Sequence, residues 1–160
     1  MPPRHFVKRI LIIAACIASS ACLRLFQPSP DQCLKLADQS LKEGNYELAI
    51  QTYNTHMQER LAVQNRPQSE NPYFYEVLIG DAYLNWGKPD LALESYEKAG
   101  DKAVDRKIVA DRIRLLAAWY RKHGELKQAI AVLDKYRMLD PLIMDSVLDD
   151  TAKELTNKGN

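Results

Sequence analysis

Cysteine, glycine and histidine are scarce in this chain: three, six and three respectively among 160 residues. Three cysteines cannot build a disulfide framework. Three histidines, at 5, 56 and 123, are too scattered to suggest a zinc or acid–base cluster. Charge of one sign is also missing, since 22 Lys and Arg face 21 Asp and Glu. A net charge of +1 offers no concentrated basic surface for nucleic acid. There is no phosphate loop, no paired-His zinc motif and no Gly-x-Ser-x-Gly. What is abundant is apolar and helix-forming: 46% of side chains are hydrophobic and 27% charged, which excludes disorder and a polytopic membrane protein. The length suits one domain of about 100–150 residues.

The first segment reads as an address. Arg4, Lys8 and Arg9 precede an apolar run, Ile10 to Ile17, and small residues then lead to Cys22. That is the layout of a secretory signal. From Ile10 to Leu23 the chain would reach only about 21 Å as a helix, against a hydrocarbon core of about 30 Å. Ala18-Ser19-Ser20-Ala21-Cys22 resembles the lipobox of bacterial lipoproteins, in which the Cys receives acyl chains and becomes the new N-terminus. Ser19 departs from the branched residue usual there. Ile13-Ala14-Ala15-Cys16 has better local letters but a short apolar core before it. Lipidation at Cys22 is the favoured expectation, with Cys16, simple cleavage or an uncleaved anchor left open. Removing residues 1–21 takes three bases and no acid, so the remainder is slightly acidic. Residues 22–29 then form a short tether, which keeps a lipidated domain close to its leaflet.

Internal repetition organises the rest. The segments 36–53, 79–96 and 116–133 align by their glycines. Each opens on an apolar and a small residue: Leu36-Ala37, Ile79-Gly80, Leu116-Ala117. Seven residues later stands Gly44, Gly87 or Gly124, and five further Ala49, Ala92 or Ala129. Tyr53, Tyr96 or Leu133 closes each copy. This spacing specifies a helical hairpin. The small residue lets helix A approach helix B, and glycine turns the chain through a left-handed conformation.

The pattern resembles the tetratricopeptide repeat, a helix–turn–helix unit. The second copy matches best, with Tyr83 on helix A and Pro89 just inside helix B. The third carries Tyr120 and reaches Pro141. The first departs at Ser40 and at His56, which replaces a small residue, and Tyr136 is a similar departure in the third. The resemblance implies an all-α fold: a right-handed superhelical stack of three hairpins, at about 30–63, 73–106 and 110–143, with a capping helix over 142–156. Ser29-Pro30, Asn71-Pro72 and Asp140-Pro141 each place a capping side chain before a proline at a helix start. The stretch 62–71, with Pro67, reads as a loop. In the last helix Ile143, Val147, Leu148, Ala152 and Leu155 are expected to face the stack.

No active site is legible. His123 reads as a helix C-terminal residue complementing the dipole, His56 as packed or half-exposed, and Cys33 as a buried, inert thiol. Asp149-Asp150 reads as a solvated acidic face. The sequence therefore carries no expectation of catalysis, cofactor, metal site or small-molecule substrate.

In tetratricopeptide proteins the A helices line a groove for a segment of another protein. Transferred position by position, the resemblance places Leu34, Asp38 and Leu41 of the first copy in that groove. It adds Phe74, Val77, Asp81 and Leu84 of the second, and Asp111, Arg114, Ala118 and Arg121 of the third. Such a surface suits an amphipathic or extended segment bearing a few charges. Asp38 and Asp81 disfavour an acidic chaperone C-terminus. The resemblance implies an envelope lipoprotein, acting as adaptor or assembly factor for a pilus, secretion or outer-membrane complex. Leu23 after Cys22 points to the outer membrane, facing the periplasm. The alternative is a cytosolic chaperone for secreted substrates, similar to class II type III secretion chaperones.

Overall fold

A computed structural model describes residues 30–158. The leader, Cys16, Cys22, the tether and the Ser29 cap lie outside them. Helices α1 (Pro30–Lys42) and α2 (Tyr46–Ala62) form the first hairpin, α3 (Phe74–Asn85) and α4 (Pro89–Asp101) the second. The third is α5 (Arg106–Lys122) with α6 (Leu126–Lys135), and a 3-10 turn, Arg137–Leu139, leads into α7 (Pro141–Lys158). Among the described residues there is no strand, and no helix is long and apolar enough to cross a membrane.

The three hairpins bend alike. Gly44, Gly87 and Gly124 have φ of 75°, 77° and 81°, where a side chain would strain the backbone. Beyond each glycine the next amide donates five residues back: Asn45 to Ser40 at 2.8 Å, Lys88 to Tyr83 and Glu125 to Tyr120 at 2.9 Å. This bond satisfies a carbonyl that the end of helix A leaves open. The close of α4 uses the same device with Ala103 at φ 58°, and Val104 donates back to Ala99.

Small-to-large packing holds each pair of helices. Ala37, Gly80 and Ala117 face the bulk of Tyr53, Tyr96 and Leu133, and every one of these residues is buried. A Cβ built on Gly80 would overlap the Tyr96 ring, so glycine is the residue that permits this approach. One apolar cluster (Ala37, Ile50, Tyr53, Ile79, Ala82) joins the first hairpin to the second. A larger one runs from Val77 and Tyr96 through Ile113, Leu116 and Leu133 to Met144 on α7. The ends of the stack differ. Ile79 and Leu116 are 3% and 0% exposed against the hairpin before them, whereas the equivalent Leu36 is 44% exposed.

Several expectations need correction. Helix A of the third hairpin starts at Arg106 and not near 110, because Asp105 caps it by accepting from the Lys107 amide at 2.8 Å. Pro72 precedes its helix instead of opening it. Asn71 accepts from the Tyr73 amide at 3.0 Å and donates to the Lys102 carbonyl at 2.8 Å, so it closes a turn ahead of Phe74. In α7 the buried positions are Met144 and Thr151, while Ile143 is exposed. Met144 and Thr151 share one stripe with Val147 and Leu148, two of the expected residues, which pack against the larger cluster, and Ile143 lies at the edge of that stripe. The loop after α2 is pinned by Arg60, whose Nε and Nη2 donate to Glu70 at 2.6 and 2.5 Å.

Candidate functional site

Helix α5 lies between α3 and α7, and its outer face floors a trough. Residues at helical spacing supply that floor: Asp111 and Arg112, Arg114 and Leu115, Ala118, then Arg121 and Lys122. Two adjoining hollows of about 480 and 460 Å³ share Arg112, Leu115 and Ala118. Leu84 and Asp81 of α3 wall one side, and Val147 of α7 walls the other. Leu115 is 52% exposed at the centre, a large apolar side chain left to water on a helix whose opposite face is core.

Each arginine of the trough meets a carboxylate. Arg112 Nε donates to both oxygens of Asp81, at 2.9 and 3.0 Å. Arg114 pairs with Asp111 at 2.8 Å within α5, and Arg121 with Glu154 of α7 at 3.2 Å. These pairs are part-exposed, so each contributes little to stability and can be exchanged for a partner's charge. Arg114 Nε is buried without an acceptor.

The acids of the first two copies do more than line a groove. The Tyr96 hydroxyl donates to Asp81 at 2.9 Å, and the Tyr53 hydroxyl to Asp38 at 3.3 Å. Each links helix A to helix B across fifteen residues. The third copy carries Ala118 and Leu133 at these two positions, so acid and phenol are lost together. A similar bond joins hairpins: Tyr120 of α5 donates to Asp90 of α4 at 3.3 Å.

These bonds have a titration consequence. Burial, then the charge of Asp38, raises Tyr53 from 10.0 to about 12. Burial, then Asp90, does the same to Tyr120, raised to about 12, and burial with Asp81 raises Tyr96. Between pH 10 and 12 the folded chain therefore holds protons that the unfolded chain has released, and stability falls as pH rises. Urea midpoints should be insensitive to these phenols below pH 10 and drop through about pH 12, less steeply in Tyr53→Phe. A midpoint unchanged up to pH 12 would contradict these assignments.

The transferred groove positions separate into four groups. Asp81, Leu84, Asp111, Arg114, Ala118 and Arg121 come together in the trough. Leu34 and Leu41 pack against the first apolar cluster, and Asp38 stays exposed beside Tyr53. Val77 is a correction: it is wholly buried in the larger cluster and offers a partner nothing. Phe74 is 39% exposed at the start of α3, outside both hollows. The transfer missed Arg112, Leu115 and Lys122, each one residue beyond a transferred position on α5. The 3.6-residue period, applied to all of α5, would have included them.

Both described histidines pack against aromatic rings. His123 caps α5, its Nδ1 2.7 Å from the Trp119 carbonyl and its ring stacked on Trp119 at 3.8 Å. His56 is buried, edge-to-face with Tyr75 at 5.0 Å.

A family model described as tetratricopeptide repeat matches residues 77–99, which fall on α3 and α4, the copy closest to the pattern. Comparison with curated proteins gives no match. Among solved structures, the "TPR2AB-domain:pHSP90-complex of yeast Sti1" is similar at a TM-score of 0.58 and 18% identity. The match covers 81% of this chain and 48% of that one, so this chain spans about half the neighbour's length. With its three equivalent glycine bends and its small-to-large helix contacts, the described part of the chain has the fold of a tetratricopeptide repeat stack.

Proposed function

We propose that this protein is an adaptor whose trough along α5 holds an amphipathic or extended segment of another polypeptide. The observation that carries this reading is Leu115, a half-exposed leucine ringed by exchangeable charge pairs and flanked by Leu84 and Val147. Apolar anchors of the partner would cover Leu115 and Leu84, and its charges would take over from Asp81, Asp111 or Glu154. The neighbouring fold is titled as a complex with pHSP90. Here Asp81 already takes the Nε donor of Arg112 and its charge opposes a terminal carboxylate, which favours an internal segment.

The setting belongs to the same proposal. The basic start, the apolar run Ile10–Ile17 and the small residues before Cys22 support export and lipidation at Cys22. The partner is then another envelope protein, and the adaptor works at a membrane surface facing the periplasm, as an assembly factor for an envelope complex.

The test is site-specific. A photo-crosslinking residue at position 115 should trap one defined partner in envelope preparations. Leu84→Ala with Leu115→Ala should weaken capture of that partner at least ~10-fold, the cost of two buried anchors, with the helical circular dichroism unchanged. Capture unaffected by the double variant would place binding elsewhere. Intact mass decides the setting: a diacylglyceryl Cys22 supports the envelope reading, and an unmodified Met1 in the cytosol would replace it by the secretion-chaperone alternative.

A further inference from the structure

Cys33 of α1 and His56 and Glu59 of α2 converge on the inside of the first hairpin. One ligand atom from each lies within 4.8 Å of the other two. Cys33 and His56 are buried, while the Glu59 side chain is 41% exposed. His56 Nδ1 is wholly buried with no hydrogen-bond partner. The nearest carboxylate oxygen, Glu59 Oε2, stands 3.6 Å away, beyond hydrogen-bond reach. Folded proteins leave few buried polar atoms in that condition, and those they leave require an explanation.

The arrangement is particular to this hairpin. Counted from the glycine bends, the positions of Cys33 and His56 hold Glu76 and Ala99 in the second copy, and Ile113 and Tyr136 in the third. Packing alone therefore does not require a thiol facing an imidazole here.

We propose that Cys33, His56 and Glu59 bind one divalent cation of the zinc class, with water as fourth ligand. A thiolate, an imidazole and a carboxylate form a borderline-soft donor set. Magnesium and calcium would reject the sulfur, and copper(I) would reject the carboxylate. Tetrahedral zinc bonds of 2.0–2.3 Å put ligand atoms about 3.3–3.6 Å apart. The trio must therefore contract by about 1 Å from its widest allowed spacing. Glu59, on the exposed side, supplies that movement and the path of entry.

The thiol must give up its proton to bind a cation. Burial, and then the charge of Glu59, push the Cys33 thiol up, so the proton stays on sulfur while no cation is bound. Binding forms the metal–sulfur bond and releases that proton to solvent. His56 gives the lone pair of Nδ1 and keeps its proton on Nε2, and Glu59 neutralises further charge. The bound ion would clasp helix A to helix B in the hairpin whose Leu36 is half-exposed.

The experiment uses the full-length chain, freed of metal by chelation, with cobalt(II) as a spectroscopic probe and zinc(II) as competitor. One equivalent of cobalt should produce thiolate-to-metal charge transfer and the visible bands of a tetrahedral site. Zinc should bleach both and raise the melting temperature. Cys33→Ser should abolish the charge-transfer band. Glu59→Gln, a conservative change at an exposed position, should weaken zinc at least ~10-fold, the lower bound seen even for outer-sphere partners. Cys16→Ser with Cys22→Ser should retain the cobalt spectrum. A spectrum that survives Cys33→Ser, one lost with Cys16 and Cys22, or no response to either metal would overturn the proposal.

Discussion

Tyr96→Ala should cost this domain about 3–5 kcal/mol, the range for deleting a buried aromatic side chain. Tyr96 is fully buried, touches Gly80, and lies in the cluster that joins the second and third hairpins. The loss is roughly a fifth or more of the stability ordinary for a domain of this size. It should lower the melting temperature by roughly 10–20 °C. Tyr96→Phe separates the two jobs of the residue, because it keeps the ring and removes the donor to Asp81. That change should cost about 1–2 kcal/mol, since Arg112 still holds the carboxylate. Equal losses from the two variants in urea denaturation would mean that the ring packs far less well than its burial implies.

Gly80→Val is the second large effect and acts on the same contact from the other helix. A Cβ at position 80 overlaps Cε1 and Cδ1 of Tyr96, and valine adds two methyls behind it. Overpacking of this kind costs about 1–3 kcal/mol, and more where the backbone must move. About 3 kcal/mol is expected, after the small gain from replacing a helical glycine. Gly100 is the control. It also lies in a helix, but a Cβ there finds only Val109 Cγ1 at an ordinary 3.8 Å. Gly100→Ala should therefore stabilise by about 0.5–1 kcal/mol. Two glycines in helices thus give opposite signs, decided by what faces them. Combining Gly80→Val with Tyr96→Ala should hurt less than the sum, because the new side chain enters the vacated space. Strict additivity would show that the two sites do not touch in solution.

The hairpins were legible because each depends on a few residues with strong local requirements. A left-handed bend demands glycine, and a close helix crossing demands a small side chain opposite a large one. Gly44, Gly87 and Gly124 with Ala37, Gly80 and Ala117 state both at fixed spacing. The trough was legible only in part. Transferring a face from a family pattern says which way a helix side points, not which side chains the next hairpin covers, and so Val77 was placed in the groove while it lies in the core. Arg112 escaped because its partner Asp81 is thirty-one residues away on another helix. The resemblance places Asp38 and Asp81 in the groove without their tyrosine partners, although the sequence held the clue. Both copies with an acid six residues before the bend carry a tyrosine nine residues after it, and the third copy has neither. The face of α7 was legible at Val147 and Leu148, whereas Thr151 at its centre is polar and so carried no apolar signal. The Cys33–His56 approach left no local signature, since it forms only when helices A and B close on each other.

The exposed Leu36 gives the stack a direction. In the described residues α7 packs on the third hairpin, while Leu36 of the first is left 44% exposed. An engineer adding a fourth hairpin should splice it ahead of α1, where its second helix would find a leucine waiting.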